Sequence, residues 1–384
     1  QDEAFRDEER LEVIIQILVE QARLLNAQCL PQRACRTAKF VVEMARTRDS
    51  QALSSSTWTA VEAAALREWG RALYAQGKLW AARERLQEAL ALTCGGPRGL
   101  RASVLTHLGA VERHCEEADR AQELLDQALA LYGDLGDNWG RSQVLNELAC
   151  VAENRSDLSA AGAYAEEALN LSGTMGRRCL VSAAQTTLGR IALAGEDYEA
   201  AIGHCERALS TARDLGDPAA TAEALIELAR IHLREGKREG AWRRSLLAVE
   251  QARISGNPII EARALLISGH AFMELGMTAQ ALKAYEGARR LQGRLGQCGQ
   301  VIESLTGLAR ATLARGDLDG ALSFVEKILV RLEESDLVGV GEPLRAYLVC
   351  YQVLEANHDP RARDVLGTAS GLYEGVPTGR RPDP

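Results

Sequence analysis

Aromatic residues are scarce: Trp, Tyr and Phe make up 4% of the 384 residues, although 46% are hydrophobic. Ala and Leu must therefore supply the core, as close packing of helix on helix prefers. Positive charge is also short. The formal net charge is −8, which argues against general affinity for nucleic acid or an anionic membrane. No apolar run approaches the roughly 18 residues needed to span a bilayer. The most apolar N-terminal piece, LEVIIQILVE (11–20), has acidic flanks and no small-residue cleavage site, so it is not a signal peptide. The nine cysteines form no C-x-x-C pair and read as small core residues of a reducing, cytoplasmic compartment.

Catalytic signatures are missing as well. The chain has no GxxxxGK[ST] phosphate loop, no GxGxxG after a strand, no HExxH and no GxSxG. His204 and Cys205 are adjacent, which on a helix turns them about 100° apart and keeps them from sharing a site. Six histidines, none paired at i,i+4, offer no metal site. The chain is expected to be no enzyme and to need no cofactor or metal. It begins at Gln1 rather than Met, as a piece of a longer polypeptide would.

What is present is a period. LAGEDYEAAIGHCERAL (193–209) and LARGDLDGALSFVEKIL (313–329) share one plan: an apolar opening, a Gly/Asp turn, then Ala and Leu at helical spacing. A small residue recurs at Gly70, Gly109, Ala149, Gly189, Ala229, Gly269 and Ala309, in steps of 39 and then 40. Twelve residues after each stands an alanine: Ala82, Ala121, Ala161, Ala201, Ala241, Ala281 and Ala321. Seven further on come Ala89, Ala128, Ala168, Ala208, Ala248, Ala288 and Ile328. A separate column, Gly136, Gly176, Gly216, Gly256 and Gly296, falls between units in phrases such as DLGD. Each unit reads as two helices. In one, 182–194 runs into a stop and acidic start at Gly195-Glu196-Asp197, and 198–215 is closed by Gly216. The column glycines suit helix ends with a left-handed backbone, and the Gly/Ala positions suit close approach of two helix axes. One hairpin cannot bury its apolar faces alone, whereas stacked hairpins can.

The pattern LGR…ALAGEDYEAAIGHCERAL resembles the tetratricopeptide repeat (TPR), on Leu188, Gly189, Ala201 and Ala208. The spacing of 40 departs from that family's usual 34 and is similar to repeats of bacterial STAND-type ATPase regulators and of kinesin light chain. The resemblance implies an all-α fold, a right-handed TPR superhelix (α-solenoid) of about nine helix-turn-helix repeats. Residues 1–373 are expected to form a single solenoid. Its degenerate first repeat covers about 9–50, with Ala22 and Ala34 on helices of about 9–28 and 32–47. A connection containing ALSSSTW (52–58) follows, then regular repeats over about 60–335 and a closing hairpin over about 343–373, where Ala362 comes one residue late. The Pro/Gly-rich tail 374–384 is expected to be disordered.

In a TPR superhelix the first helix of each hairpin lines a concave face, and the residue after the Gly/Ala column points into it. Here those residues are Arg23, Arg71, Ala110, Cys150, Arg190, Arg230, His270, Arg310 and Cys350. First helices stacked at roughly 8–10 Å would turn Arg190, Arg230, His270 and Arg310 into a basic ladder, and guanidinium forks suit carboxylates and phosphates. The alternative is pairing of these arginines with Glu223, Glu227 and Glu303 on neighbouring helices. Asn146, Glu153, Asn154, Arg113 and His114 are further groove candidates, the asparagines because a side-chain amide can hold a peptide backbone. The Lys/Asn clamp of chaperone-binding TPRs is not reproduced. Trp58, Trp69, Trp80, Trp139 and Trp242 read as packing residues at helix interfaces.

Three functions fit. One is a protein-interaction or sensor module, the regulatory TPR part of a larger bacterial signalling protein, binding a peptide, protein or small effector. Another is a free-standing scaffold or adaptor for complex assembly. The third, a helical-repeat RNA binder, has the basic column for it and the acidity and few aromatics against it. A protein or peptide partner of acidic character is expected, with self-association through the end hairpins left open.

Overall fold

The computed structural model describes residues 2–28, 30–47, 55–334 and 342–375. Among them the chain forms eighteen α helices and no strand. The helices fall into two compact units, Gln1–Ala224 with Arg253–Pro258, and Leu225–Ala252 with Ile259–Pro384.

The first unit is built from hairpins of antiparallel helices: α1 (Asp2–Ala27) with α2 (Pro31–Arg46), α3 (Ser55–Ala75) with α4 (Leu79–Leu92), and α5 (Arg98–His114) with α6 (Ala118–Leu135). Two more follow, α7 (Asn138–Asn154) with α8 (Leu158–Thr174) and α9 (Arg178–Ala194) with α10 (Tyr198–Leu215). Next in the chain come α11 (Pro218–Arg234), α12 (Arg238–Ser255), α13 (Pro258–Glu274) and α14 (Thr278–Leu295). The second unit closes with α15 (Cys298–Ala314), α16 (Leu318–Glu334), α17 (Pro343–Ala356) and α18 (Ala362–Gly375). α1 begins earlier than the helix expected from about residue 9, and Ser55–Trp58 of the ALSSSTW connection already form the first turn of α3. Residues 48–54 of that connection and the tail from 376 onward lie outside the described residues.

Two kinds of turn join the helices. Between hairpins, Gly136, Gly176, Gly216, Gly256 and Gly296 hold φ of 63–71°, the left-handed cap expected of them. After Gly136 and Gly216 an aspartate starts the next helix. Asp137 accepts from the Gly140 amide at 3.0 Å, and Asp217 accepts from Ala219 and Ala220 at 2.9 and 3.0 Å. The phrase LGD is thus a stop and a start in adjacent residues. Within hairpins the left-handed residue is glycine at Gly77, Gly236, Gly276 and Gly316, but Glu116, Ser156, Glu196 and His358 elsewhere. Gly195, expected as the stop, has φ −87°, and Glu196 takes the left-handed position at φ 62°.

Inside each hairpin the small-residue columns meet. Ala82, Ala121, Ala161, Ala201, Ala241, Ala281 and Ala321 are all fully buried. Volume is exchanged across the hairpin. A Cβ on Gly70 would lie 2.6 Å from Leu86, one on Gly109 2.7 Å from Leu125, and one on Gly189 would run into the Cys205 sulfur. On Gly269 it would lie 2.5 Å from the Tyr285 ring. Where the first column carries alanine instead, at Ala149, Ala229 and Ala309, the position sixteen residues on holds the smaller Ala165, Ser245 or Val325. Ala149 and Ala165 share one buried cluster, as do Ala309 and Val325. Close packing leaves no room for a methylene on both sides.

Candidate functional site

First helices of successive hairpins pack directly on one another. This holds for α3 on α5, α5 on α7 and α7 on α9 in the first unit, and for α15 on α17 in the second. That row of first helices is the expected inner wall of each unit.

In the first unit the wall is a run of half-buried charges, each with a partner. Glu68, fully buried, receives Arg67 at 2.6 Å, Arg71 at 3.0 Å and the Asn26 amide at 2.9 Å. Burial alone would raise its carboxyl pKa, but Arg71 and Arg67 outweigh burial and hold it below the usual range. Arg113 binds Glu147 across α5 and α7 at 3.0 Å, and Tyr74 stacks obliquely on His114, ring centres 5.5 Å apart. Arg190 donates to Glu153 of the preceding hairpin at 2.9 Å through Nε and 2.8 Å through Nη2. Its Nη2 also lies 3.2 Å from the Cys150 sulfur, so neighbouring members of the predicted column do meet. Asn146 accepts from the Thr187 hydroxyl at 3.1 Å, while Asn154 ends α7 exposed. Arg23 pairs with Glu20 one turn back.

In the second unit Arg230 lies 3.4 Å from Glu227, which also takes Arg263 at 2.7 Å. Arg310 reaches Glu274 of the preceding first helix at 3.2 Å. His270 sits at the centre. The Tyr285 ring stands from α14 in a slot between Gly269 and Gly307, either of whose added Cβ would be 2.5 Å away. Its hydroxyl meets His270 Nδ1 at 2.8 Å, and Arg345 Nη2 of α17 points at the same nitrogen from 3.4 Å. Two donors on Nδ1 place the ring proton on Nε2, an assignment made from the network. The imidazole is neutral: burial, then Arg345, Arg310 and Arg230, push its pKa well below the ordinary value.

One predicted wall residue is misplaced. Cys350 is buried in the core cluster of the second unit, its thiol pushed up to about 12 by burial, so it faces away from any ligand. The turn after α17 shows the cause: its left-handed residue His358 and the following Asp359 fall two residues past the 40-residue step from Gly316 and Asp317, so Cys350 stands where the preceding hairpin has the core residue Leu308. Arg345 takes the wall in its stead, joined by Glu342 at the start of α17. Glu342 binds Arg345 at 3.1 Å and Arg234, at the end of α11, at 3.0 Å. Arg234 and Glu274 were legible in principle, since both stand one helical turn beyond the column residues Arg230 and His270. Two tryptophans also depart from expectation: Trp80 and Trp139 are exposed, and Arg83 stacks over Trp80 at 5.4 Å. Among the described residues no group of three or more His, Cys, Asp or Glu could hold a metal ion, and no helix is long and apolar enough to cross a membrane.

Chemically, the walls carry guanidinium and amide donors engaged with carboxylates. Comparisons with known proteins agree with this architecture. A tetratricopeptide repeat family model matches residues 187–219. No curated protein sequence gives a significant match. Among solved structures, a Rap protein complexed with competence and sporulation factor is 13% identical, covering 84% of this chain and 98% of that one at a TM-score of 0.61. The Rap conjugation gene regulator of plasmid pLS20, in complex with the Phr* peptide, is 14% identical over 85% and 98%, at 0.59. A STAND protein with a tetratricopeptide repeat sensor from Pyrococcus horikoshii is 14% identical, over 88% of this chain and 52% of that one, at 0.54. Aspartyl phosphate phosphatase F from Bacillus subtilis is 12% identical over 95% of both chains, also at 0.54. At these identities the likeness is one of fold. With the family match at 187–219 and its pattern recurring in 40-residue steps on paired helices, residues 187–219 are a tetratricopeptide repeat and the described helices form an α-solenoid of such hairpins, similar in fold to the STAND protein.

Proposed function

We propose that the chain is a non-catalytic recognition array, a sensor module that binds a peptide or protein along its inner walls and regulates a larger signalling protein. The observation that carries this reading is the wall itself: rows of half-buried Arg, Asn, Glu and His on first helices, reachable by solvent and held in place by neighbours. A purely structural face would be apolar or fully paired and dry. Arg71, Asn146, Asn154 and Arg190 in the first unit, and Arg230, His270 and Arg310 in the second, are the proposed contacts. The relatives in fold add support, two Rap proteins having been seen with bound factors and the STAND protein carrying a sensor of this kind. Scattered thiols fit a cytoplasmic setting. A scaffold without an enzymatic neighbour would use the same walls.

The test is a selection of displayed peptides against the purified protein, followed by calorimetric titration of Arg190→Ala and Arg230→Ala. Loss of about 1–3 kcal/mol in binding is expected for a charge-assisted contact, with weakening by salt. Full affinity in both variants would defeat the assignment of the walls as binding surfaces.

A further inference from the structure

Glu342 occupies the N-cap position of α17, yet its side chain makes no capping hydrogen bond. Both of its oxygens are spent on guanidinium groups instead, Oε1 on Arg234 and Oε2 on Arg345. Those two arginines come from opposite ends of the second unit's inner wall, the last residue of α11 and the first turn of α17. Arg345 also reaches His270, so the bridged pair is joined to the central histidine. The other wall carboxylates have partners of their own, Glu227 with Arg263 and Glu274 with Arg310. One carboxylate between two guanidiniums on a concave face is the geometry an acidic ligand would adopt.

We propose that the inner wall of the second unit is a recognition site for a carboxylate of an acidic peptide, and that Glu342 fills it as an internal surrogate which the ligand displaces. The inference rests on the reading of the walls as binding surfaces and names the chemistry of what they bind. Displacement is cheap. Arg234 is 57% and Glu342 42% exposed, and an ion pair so open to water holds only weakly. The carboxylate itself stays ionised: burial opposes this, but Arg345 and Arg234 outweigh it and keep its pKa below the usual range. An incoming carboxylate therefore meets donors already aimed at a negative group.

The probe is fluorescein-labelled hexaglutamate, with hexaglutamine as its neutral counterpart, titrated by anisotropy against the full chain at low salt. Glu342→Gln is expected to tighten hexaglutamate binding about tenfold, and Glu342→Ala to reproduce this. Arg345→Gln is to weaken it at least tenfold, and hexaglutamine is to bind none of the proteins. Glu326→Gln removes the same charge from the pair Glu326–Arg361, outside the wall, and is to change affinity less than twofold. Unchanged affinity in both Glu342 variants, or equal tightening by Glu326→Gln, would overturn the proposal. If displayed peptides bind the chain but hexaglutamate does not, the carboxylate site falls while the recognition reading stands. If nothing binds, both fall.

Discussion

At Glu196 an ordinary L-residue holds φ 62° in a turn where four other hairpins use glycine. The left-handed conformation costs such a residue roughly 1–2 kcal/mol, and part of any gain from glycine is returned through the unfolded chain's entropy. Glu196→Gly should therefore stabilise by about 0.5–1 kcal/mol, read as a higher urea midpoint at unchanged slope; a lower midpoint would contradict the turn geometry. His270 carries a second residue-scale expectation, this one in pH. Its pKa is depressed by burial and by Arg345, Arg310 and Arg230. Below the ordinary imidazole value of about 6.5, the unfolded chain takes up a proton that the folded one refuses. Stability is thus complete above that value and falls as pH drops through it, by up to about 1.4 kcal/mol per pH unit. His270→Gln should shrink the fall in melting temperature between pH 7 and pH 5.5. A drop as large as in the parent would remove His270 as its source.

At the scale of the hairpin, packing space decides. Ala201 and Ala281 are fully buried between paired helices, whereas Glu199 on the same helix as Ala201 is exposed. Ala201→Leu or Ala281→Leu should cost about 1–3 kcal/mol by overpacking, against under ~0.5 kcal/mol for Glu199→Leu; equal losses in chemical denaturation would mean the helices are rotated from the positions described. These columns were legible from the sequence because a fixed 40-residue step repeats one steric demand in every unit, and the turns between hairpins could be read from their glycines, whereas within hairpins the left-handed residue is often not glycine. The wall was legible only in part. Position along a helix follows from register, so Arg190, Arg230, His270 and Arg310 could be assigned to one row. Pairings such as Arg190 with Glu153 and Arg310 with Glu274 depend on how one hairpin rotates against the next, which no single helix encodes. Cys350 failed for a sharper reason: the turn of the closing hairpin falls two residues past the 40-residue step, which moves this position from wall to core, and only the neighbours in the fold reveal it.

For the molecule as a whole, the repeat design bears on cooperativity. Each hairpin contacts mainly the hairpins beside it, so stability approximates a sum of intrinsic and nearest-neighbour contributions. An array of this length should not unfold as a single two-state block. Differential scanning calorimetry is expected to give a calorimetric enthalpy well above the van't Hoff value, and agreement between the two would argue for one cooperative core. The exchange of volume between Gly70 and Leu86, or Gly109 and Leu125, bears on ancestry too. It is settled inside one hairpin, so a gene can gain or lose a 40-residue stretch at these points without opening a void or forcing a clash. Tyr132 against Gly140 and Tyr285 against Gly307 are different, because each couples one hairpin to the next. Each of those two tyrosines fits only while a glycine faces it from the next hairpin, so duplication or loss between them would have to keep the pair together.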